Sequence, residues 1–259
     1  MSLYFSDNHA SAQSQFCNAE HGLSDSSEVL AARDADSFES YMQLANALCY
    51  QLRYREAIEI YTKAITADPN SLQAYRQRAA RYLTTLQPSK AIEDFQHCIK
   101  LGGNIADISY RLGICHYLTG NYQKAMQELE TCHPLFDEEM GIAAIFWHTL
   151  CAWRSKSFPA LLATAYHPNM AVGHHTAYDF AMRTAAGYLS IDSAVEALNA
   201  QQDDLEFSIM AYGIYSFLMH CSAQEAAERL LKKIIERDSF WISYCYVAAW
   251  NDANNKGLQ

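Results

Sequence analysis

Histidine and cysteine are the side chains of this sequence whose placement invites a chemical reading. Three Cys/His neighbours occur: His97-Cys98, Cys115-His116 and Cys132-His133. A bound metal needs three or four such ligands converging on one point. Adjacent residues of a helix point about 100° apart, so neither member of a pair easily shares an ion with the other. Ligands would have to converge from separate elements. His174-His175, with His167 and Asp179 nearby, lacks the i, i+4 spacing of a helical zinc site and sits beside Gly173. It reads as a loop-to-helix junction. The chain carries no nucleophile elbow, phosphate-cradling loop, dinucleotide-binding glycine motif or calcium loop. Its eight cysteines form no CxxC pair, which favours free thiols in a reducing compartment over disulfides or a zinc ribbon. The expectation is no catalytic residue, no metal and no cofactor. An enzyme or metal site in the C-terminal half is the weaker alternative.

The elements that position these residues are helices. Only 5 Pro and 10 Gly occur in 259 residues, and half of the chain is hydrophobic, enough for a sizeable core. Alanines recur at a fixed interval: Ala57, Ala91 and Ala125 are spaced by 34 and 34 residues. Around them, Tyr41, Leu44, Ala45, Leu48, Ala57, Tyr61, Ala64 and Pro69 form a first unit counted from Phe38. Tyr75, Ala79, Tyr82, Ala91, Phe95 and Cys98 form a second from Leu72, and Leu112, Gly113, His116, Ala125, Leu129 and Cys132 a third from Ala106. Asp68-Pro69-Asn70, Gly102-Gly103-Asn104 and Thr119-Gly120-Asn121 supply turns.

This pattern closely resembles the tetratricopeptide repeat. The resemblance implies an all-α fold, a right-handed α-α superhelix (a solenoid) of about six helix pairs with a C-terminal capping helix. Small residues sit where the two helices of a pair cross, and large ones fill the layer between neighbouring pairs, which must stack because none buries its apolar face alone. Residues 38–139 hold the three well-formed repeats. Ala160, Ala194 and Ala227 continue the spacing through 140–238 in three degenerate pairs, about Gly141 to Pro168, Thr176 to Gln201 and Phe207 to Arg237. Pro159 falls near the first turn of the fourth pair's second helix. Residues 239–259 read as a capping helix from Phe240 to Trp250 and a polar tail. Residues 1–37 read as a polar, partly disordered arm with one short helix near Ser27 to Ala35; the alternative is an arm that docks on a groove.

In the family, the first helix of each pair lines a concave face. Carried over position by position, the resemblance implies a peptide-binding groove including Met42, Asn46, Tyr50, Arg76, Leu83, Tyr110, Ile114, Tyr117, Ile145, Thr149 and Trp153. The opposing reading is that some of these pack against the next helix or the arm. Family members that grip the carboxylate end of heat-shock proteins have polar and basic residues where this chain has Met42, Asn46, Gln77, Asp107 and Arg111. Only Asn46 and Arg111 match, and Asp107 would repel a carboxylate. The implied ligand is instead a segment with apolar or aromatic side chains.

The formal charge, 19 basic against 29 acidic residues, is −10, which argues against nucleic acid and against an anionic membrane. No stretch reaches the ~18 apolar residues of a membrane span, and Met1 to His21 does not read as a signal peptide, so a cytoplasmic protein is expected. The functional expectation is a non-enzymatic adaptor or chaperone that holds another protein or peptide. The alternative is a self-associating structural or regulatory protein that pairs through the N-terminal arm or through Trp241, Tyr244 and Trp250.

Overall fold

The computed structural model describes residues 36–237 and 243–256. The N-terminal arm, its expected short helix and Trp241 lie outside the described residues. Within the described residues the chain is all-helical, with no strand. It divides into two compact units, Met1–Asn104 and Ile105–Gln259.

The first unit contains α1 (Phe38–Tyr50), α2 (Tyr54–Ala67), α3 (Leu72–Thr84) and α4 (Pro88–Lys100), each packed against the next. Helix α1 starts where the repeat does, because Ser37 and Ser40 form a capping box. Ser71 caps α3 in the same place, accepting from the Ala74 N–H. Pro88 occupies the first turn of α4, where a missing N–H costs little. Met42, Leu44, Ala45 and Leu48 of α1 meet Ala57, Tyr61, Ala64 and Ile65 of α2 in one core. The fully buried Ala45, Ala57 and Ala64 are the small residues of the repeat.

The second unit contains α5 (Ile105–Leu118), α6 (Tyr122–Cys132), α7 (Glu138–Ser155), α8 (Ala160–Thr164), α9 (Thr176–Ala185), α10 (Ile191–Ala200), α11 (Asp204–His220), α12 (Gln224–Arg237) and α13 (Tyr244–Lys256). Helices α7 and α11 are buried over unbroken runs, Gly141 to Ala152 and Phe207 to Ser216. A helix buried all round lies at the centre of its unit. Helix α11 accordingly packs on α7, α9, α10, α12 and α13.

One backbone motif recurs through the chain. The first helix of every pair ends in a residue with positive φ: Leu52, Leu86, Gly120, Lys156, Gly187 and Ser222. After each, an N–H reaches back five residues, from Arg53 to Leu48, Gln87 to Tyr82, Asn121 to His116, Ser157 to Ala152, Tyr188 to Arg183 and Ala223 to Leu218, all at 2.8–2.9 Å. This is the Schellman helix ending, in which a left-handed residue lets the chain reverse while satisfying terminal carbonyls. It ends the first helix of each of six pairs, including the three in which the sequence consensus fades, and occurs once more at the end of α4, where Gly102 has positive φ and the Gly103 N–H reaches the Cys98 carbonyl at 2.9 Å.

Two elements differ from the sequence expectation. The second helix of the fourth pair, expected to run to Pro168, is only the five-residue α8. Pro168 disfavours a helical conformation at His167 and so bars extension. The following segment is tied instead to the start of α7: Glu138 accepts from the Ala171 N–H at 2.5 Å and Glu139 from the His174 N–H at 2.8 Å. Helix α13 also runs on through Lys256, past Trp250. Its buried Val247, Trp250 and Ala253 continue at helical spacing through asparagines that read as a tail.

Candidate partner-binding groove

In the first unit the expected groove residues lie on α1 and α3. Met42 and Leu83 are buried, Asn46 and Arg76 are half-buried, and Tyr50, the last residue of α1, is 90% exposed. Asn46 is fixed from behind, because the Tyr61 hydroxyl of α2 donates to its Oδ1 at 2.6 Å. Burial raises the Tyr61 phenol and the Cys49 thiol beside it, so both stay protonated at neutral pH. A residue the repeat pattern passes over, Arg78, occupies a layer position that is apolar in the neighbouring repeats. It donates twice to Asp94 of α4, each bond 2.8 Å, and once to Thr62 at 3.0 Å. Its guanidinium also lies 5.6 Å from the Tyr75 and Tyr82 ring centres.

In the second unit Tyr110, Ile114, Tyr117, Ile145 and Thr149 are all buried, and Trp153 is half-buried. The Trp153 ring stacks on His220 at 5.0 Å, close to parallel at 15°. Helix α13 packs against α5, the first helix of the unit, as well as against α11 and α12. Near its start the Tyr244 hydroxyl accepts from Arg111, which is itself held by Asp107 at 3.0 Å. Near its end Asn251 donates to the Leu118 carbonyl at 3.1 Å, capping one of the last, otherwise unpartnered carbonyls of α5.

The centre of this seat is polar. Asp252 of α13 pairs with Arg154 of α7 and accepts from the Tyr212 hydroxyl of α11 at 2.9 Å. The Tyr212 hydroxyl is in turn 2.7 Å from that of Tyr117. Tyr117 and Tyr215 place their ring centres 5.9 and 5.8 Å from the Arg154 guanidinium. The pair is largely enclosed, with side-chain exposures of 22% for Arg154 and 12% for Asp252. Burial works against the Arg154 charge, but Tyr117, Tyr212, Asp252 and Tyr215 outweigh it and raise its affinity for the proton. Burial likewise raises the Tyr117 and Tyr212 phenols, which therefore remain hydrogen-bond donors. Edge-on contacts extend the cluster from Tyr117 to Trp147 at 5.2 Å and from Phe146 to Tyr178 at 5.0 Å. Beside the start of α13 lies an open pocket of about 320 Å³ lined by Ala177, Tyr178, Leu205, Ile209, Ser243 and Tyr244 together with the polar His174, His175 and Glu206.

Arg154, Tyr212 and Asp252 were not singled out by the repeat positions. Arg154 lies one residue beyond the last position carried over, and Asp252 lies in the stretch read as a tail. The residues first suspected of chemistry are otherwise engaged. His175 is the cap of α9, as a loop-to-helix junction requires. Asp179 accepts from Tyr166 at 2.8 Å and from Arg183 at 2.6 Å. Cys98, Cys115, Cys132 and Cys151 are buried. Burial pushes the Cys132 thiol up to about 12. Among the described residues, no group of three His, Cys, Asp or Glu side chains could hold a metal. Within those residues, no helix is long and apolar enough to cross a membrane.

Helix pairs closed by a recurring turn, with an aromatic first-helix surface, define an all-helical repeat protein. The sequence model of the tetratricopeptide repeat family matches residues 38–71, so the chain contains a tetratricopeptide repeat. DnaJ homolog subfamily C member 7 of Mus musculus is 32% identical over 104 residues, covering 40% of this chain and 21% of that protein. Hsp70-Hsp90 organizing protein 3 of Arabidopsis thaliana is 29% identical over 89 residues, 34% of this chain and 16% of that one. The human protein O-mannosyl-transferase TMTC3 is 34% identical over 104 residues, 37% and 11% of the two chains. The chain thus spans about a fifth or less of these relatives. Among solved structures, that of YrrB, a TPR protein with an unusual peptide-binding site, aligns with 89% of this chain and 100% of its own at 17% identity and a TM-score of 0.46.

Proposed function

We propose that this chain is a non-enzymatic protein-interaction scaffold that holds an apolar or aromatic segment of a partner protein against the first helices of its repeats. The observation that carries the reading is α13: the first-helix surface of the second unit seats a helix through hydrogen bonds from Arg111 and the buried Tyr212 and through one enclosed arginine–carboxylate pair. Buried aromatic and arginine contacts of this kind dominate the affinity of protein interfaces. In the first unit, Asn46, Tyr50 and Arg76 keep surface for such contacts. The family match over 38–71 and the relative whose name describes an Hsp70-Hsp90 organizer point the same way. A carboxylate grip of the heat-shock type is not part of the proposal, because Met42 is buried and Arg111 is engaged by Asp107 and Tyr244.

A photo-crosslinking residue placed at Tyr50 or Trp153 is expected to trap a discrete partner in cells, and one placed at the exposed Lys156 is not. The double variant Tyr50→Ala, Arg76→Glu should then lower recovery of that partner by about tenfold while the chain stays helical by circular dichroism. Equal trapping at all three positions, or unchanged recovery, would remove the groove from the function.

A further inference from the structure

Resting on that reading, we propose that the surface formed by α5, α7 and α11 is a helix-binding groove of defined specificity. Its partner presents an amphipathic helix with an aspartate or glutamate facing Arg154 and Tyr212, and α13 is the chain's own, exchangeable occupant.

Several observations converge on this. The helices that meet α13 are held by their own neighbours: α5 by α6, α7 by α6, α9 and α11, α11 by α9 and α12, and α12, which flanks the groove, by α11. Nearest-neighbour stacking of this kind lets a repeat unit stand without an element that crosses it. Helix α13 is weakly helix-forming by composition, since Tyr, Cys, Val, Trp, Asn and Asp outnumber its three alanines and one lysine. Its helical form therefore depends on the seat, and a segment folded by its seat opens as one cooperative piece. The seat's central contact is an enclosed ion pair. Burying such a pair recovers little net stability, yet removing one partner leaves the other uncompensated, so the pair selects what binds more than it fastens it. The fit at the start of α13 is incomplete, because small Ser243 borders an open pocket whose lining is apolar on one side, at Ala177, Tyr178, Leu205 and Ile209, and polar on the other, at His174, His175 and Glu206. A partner helix with a large apolar residue there would fill space that α13 leaves open.

The test uses the full chain and a fluorescent synthetic peptide of residues 243–256 as probe. The unaltered chain should bind it weakly, because its own α13 competes at the high effective concentration of a tethered segment. The full-length Asp252→Lys variant, whose α13 meets Arg154 with the wrong charge, should bind the probe about tenfold more tightly. Adding Arg154→Ala should abolish that gain, and a probe carrying Asp252→Lys should not bind. A probe with Ser243→Leu should bind more tightly than the parent. A folded Asp252→Lys chain that ignores the probe overturns the proposal. Should that variant fail to fold, native-state hydrogen exchange of the unaltered chain decides: α13 amides must exchange ahead of those of α5, α7 and α11. Exchange of all four together makes α13 a fixed part of the core and overturns it. These readouts need no partner protein, so they stand or fall separately from trapping at Tyr50.

Discussion

Arg78 and Asp94 show how a repeat tolerates a polar residue in its apolar layer. Both side chains are mostly enclosed, 15% and 7% exposed, and each satisfies the other with two bonds. Removing one leaves a charge in a place that water scarcely reaches. Asp94→Ala is expected to lower the unfolding free energy by about 3–5 kcal/mol, measured by urea melts. Arg78→Met combined with Asp94→Leu should recover most of that loss, and failure of the double variant to exceed the single would contradict this account. Three histidines give a second prediction. Burial lowers the proton affinities of His116, His133 and His148; Lys124 adds to the effect at His116, and Glu130 opposes it at His148. The unfolded chain then binds more protons than the folded one once pH falls below the ordinary histidine value of about 6.5. The melting temperature should decline from pH 7 to pH 5, and His116→Gln with His148→Gln should flatten the decline. A melting temperature indifferent to pH across that window would refute it. Which residues fill the core was legible from the repeat spacing, as with Ala45, Ala57, Tyr61 and Ala64. The arginine–carboxylate pairs were not, because a charge is assigned to the surface unless its partner, here 16 and 98 residues away, is known to meet it.

At the scale of elements, the six Schellman endings of first helices explain why the helix-pair pattern outlasts the sequence consensus. The backbone demand is the same at the six first-helix endings, and among these glycine meets it at Gly120 and Gly187. Left-handed backbone costs a residue with a Cβ roughly 1–2 kcal/mol, partly offset by the greater freedom that glycine gives the unfolded chain. Lys156 is exposed, so Lys156→Gly should raise stability by about 0.5–1 kcal/mol with no packing lost. Gly213 is the opposite case. A Cβ there would lie 2.5 Å from the Ala181 Cβ of α9 and 2.9 Å from the Phe146 ring of α7. Gly213→Ala should therefore cost about 1–3 kcal/mol, and a neutral result would show that α11 can back away. The pairs themselves could be read from alanine spacing, since close crossing leaves room only for small side chains. Helix α8 could not, because its alanine and leucines promise a longer helix than Pro168 permits. Nor could the end of α13, where tertiary contacts hold asparagines in a helix that propensity disfavours.

For the molecule as a whole, the acidic balance of −10 sets a long-range field that repels polyanions. The chain should pass through a heparin column at about 0.15 M salt and leave duplex DNA unshifted in a gel; retention would point to a basic surface that the sequence does not display. At the aromatic end of the chain, Trp250 is buried and Tyr244 is held by Arg111. Burial also explains why the sequence assigns residues to the first helices but not what covers them. Sequence positions say which side chains line a first-helix face, whereas what covers that face is decided by a segment more than a hundred residues away.

That separation also fixes an order of events during synthesis. Asn251 and Leu118, which meet in the folded chain, are 133 residues apart, so α5 leaves the ribosome well before the helix that will cover it. At ordinary translation speeds the interval is on the order of ten seconds. Through it, Arg111 and the Leu118 carbonyl await their partners, and whatever attends nascent chains in the cell meets that face of α5 before α13 does.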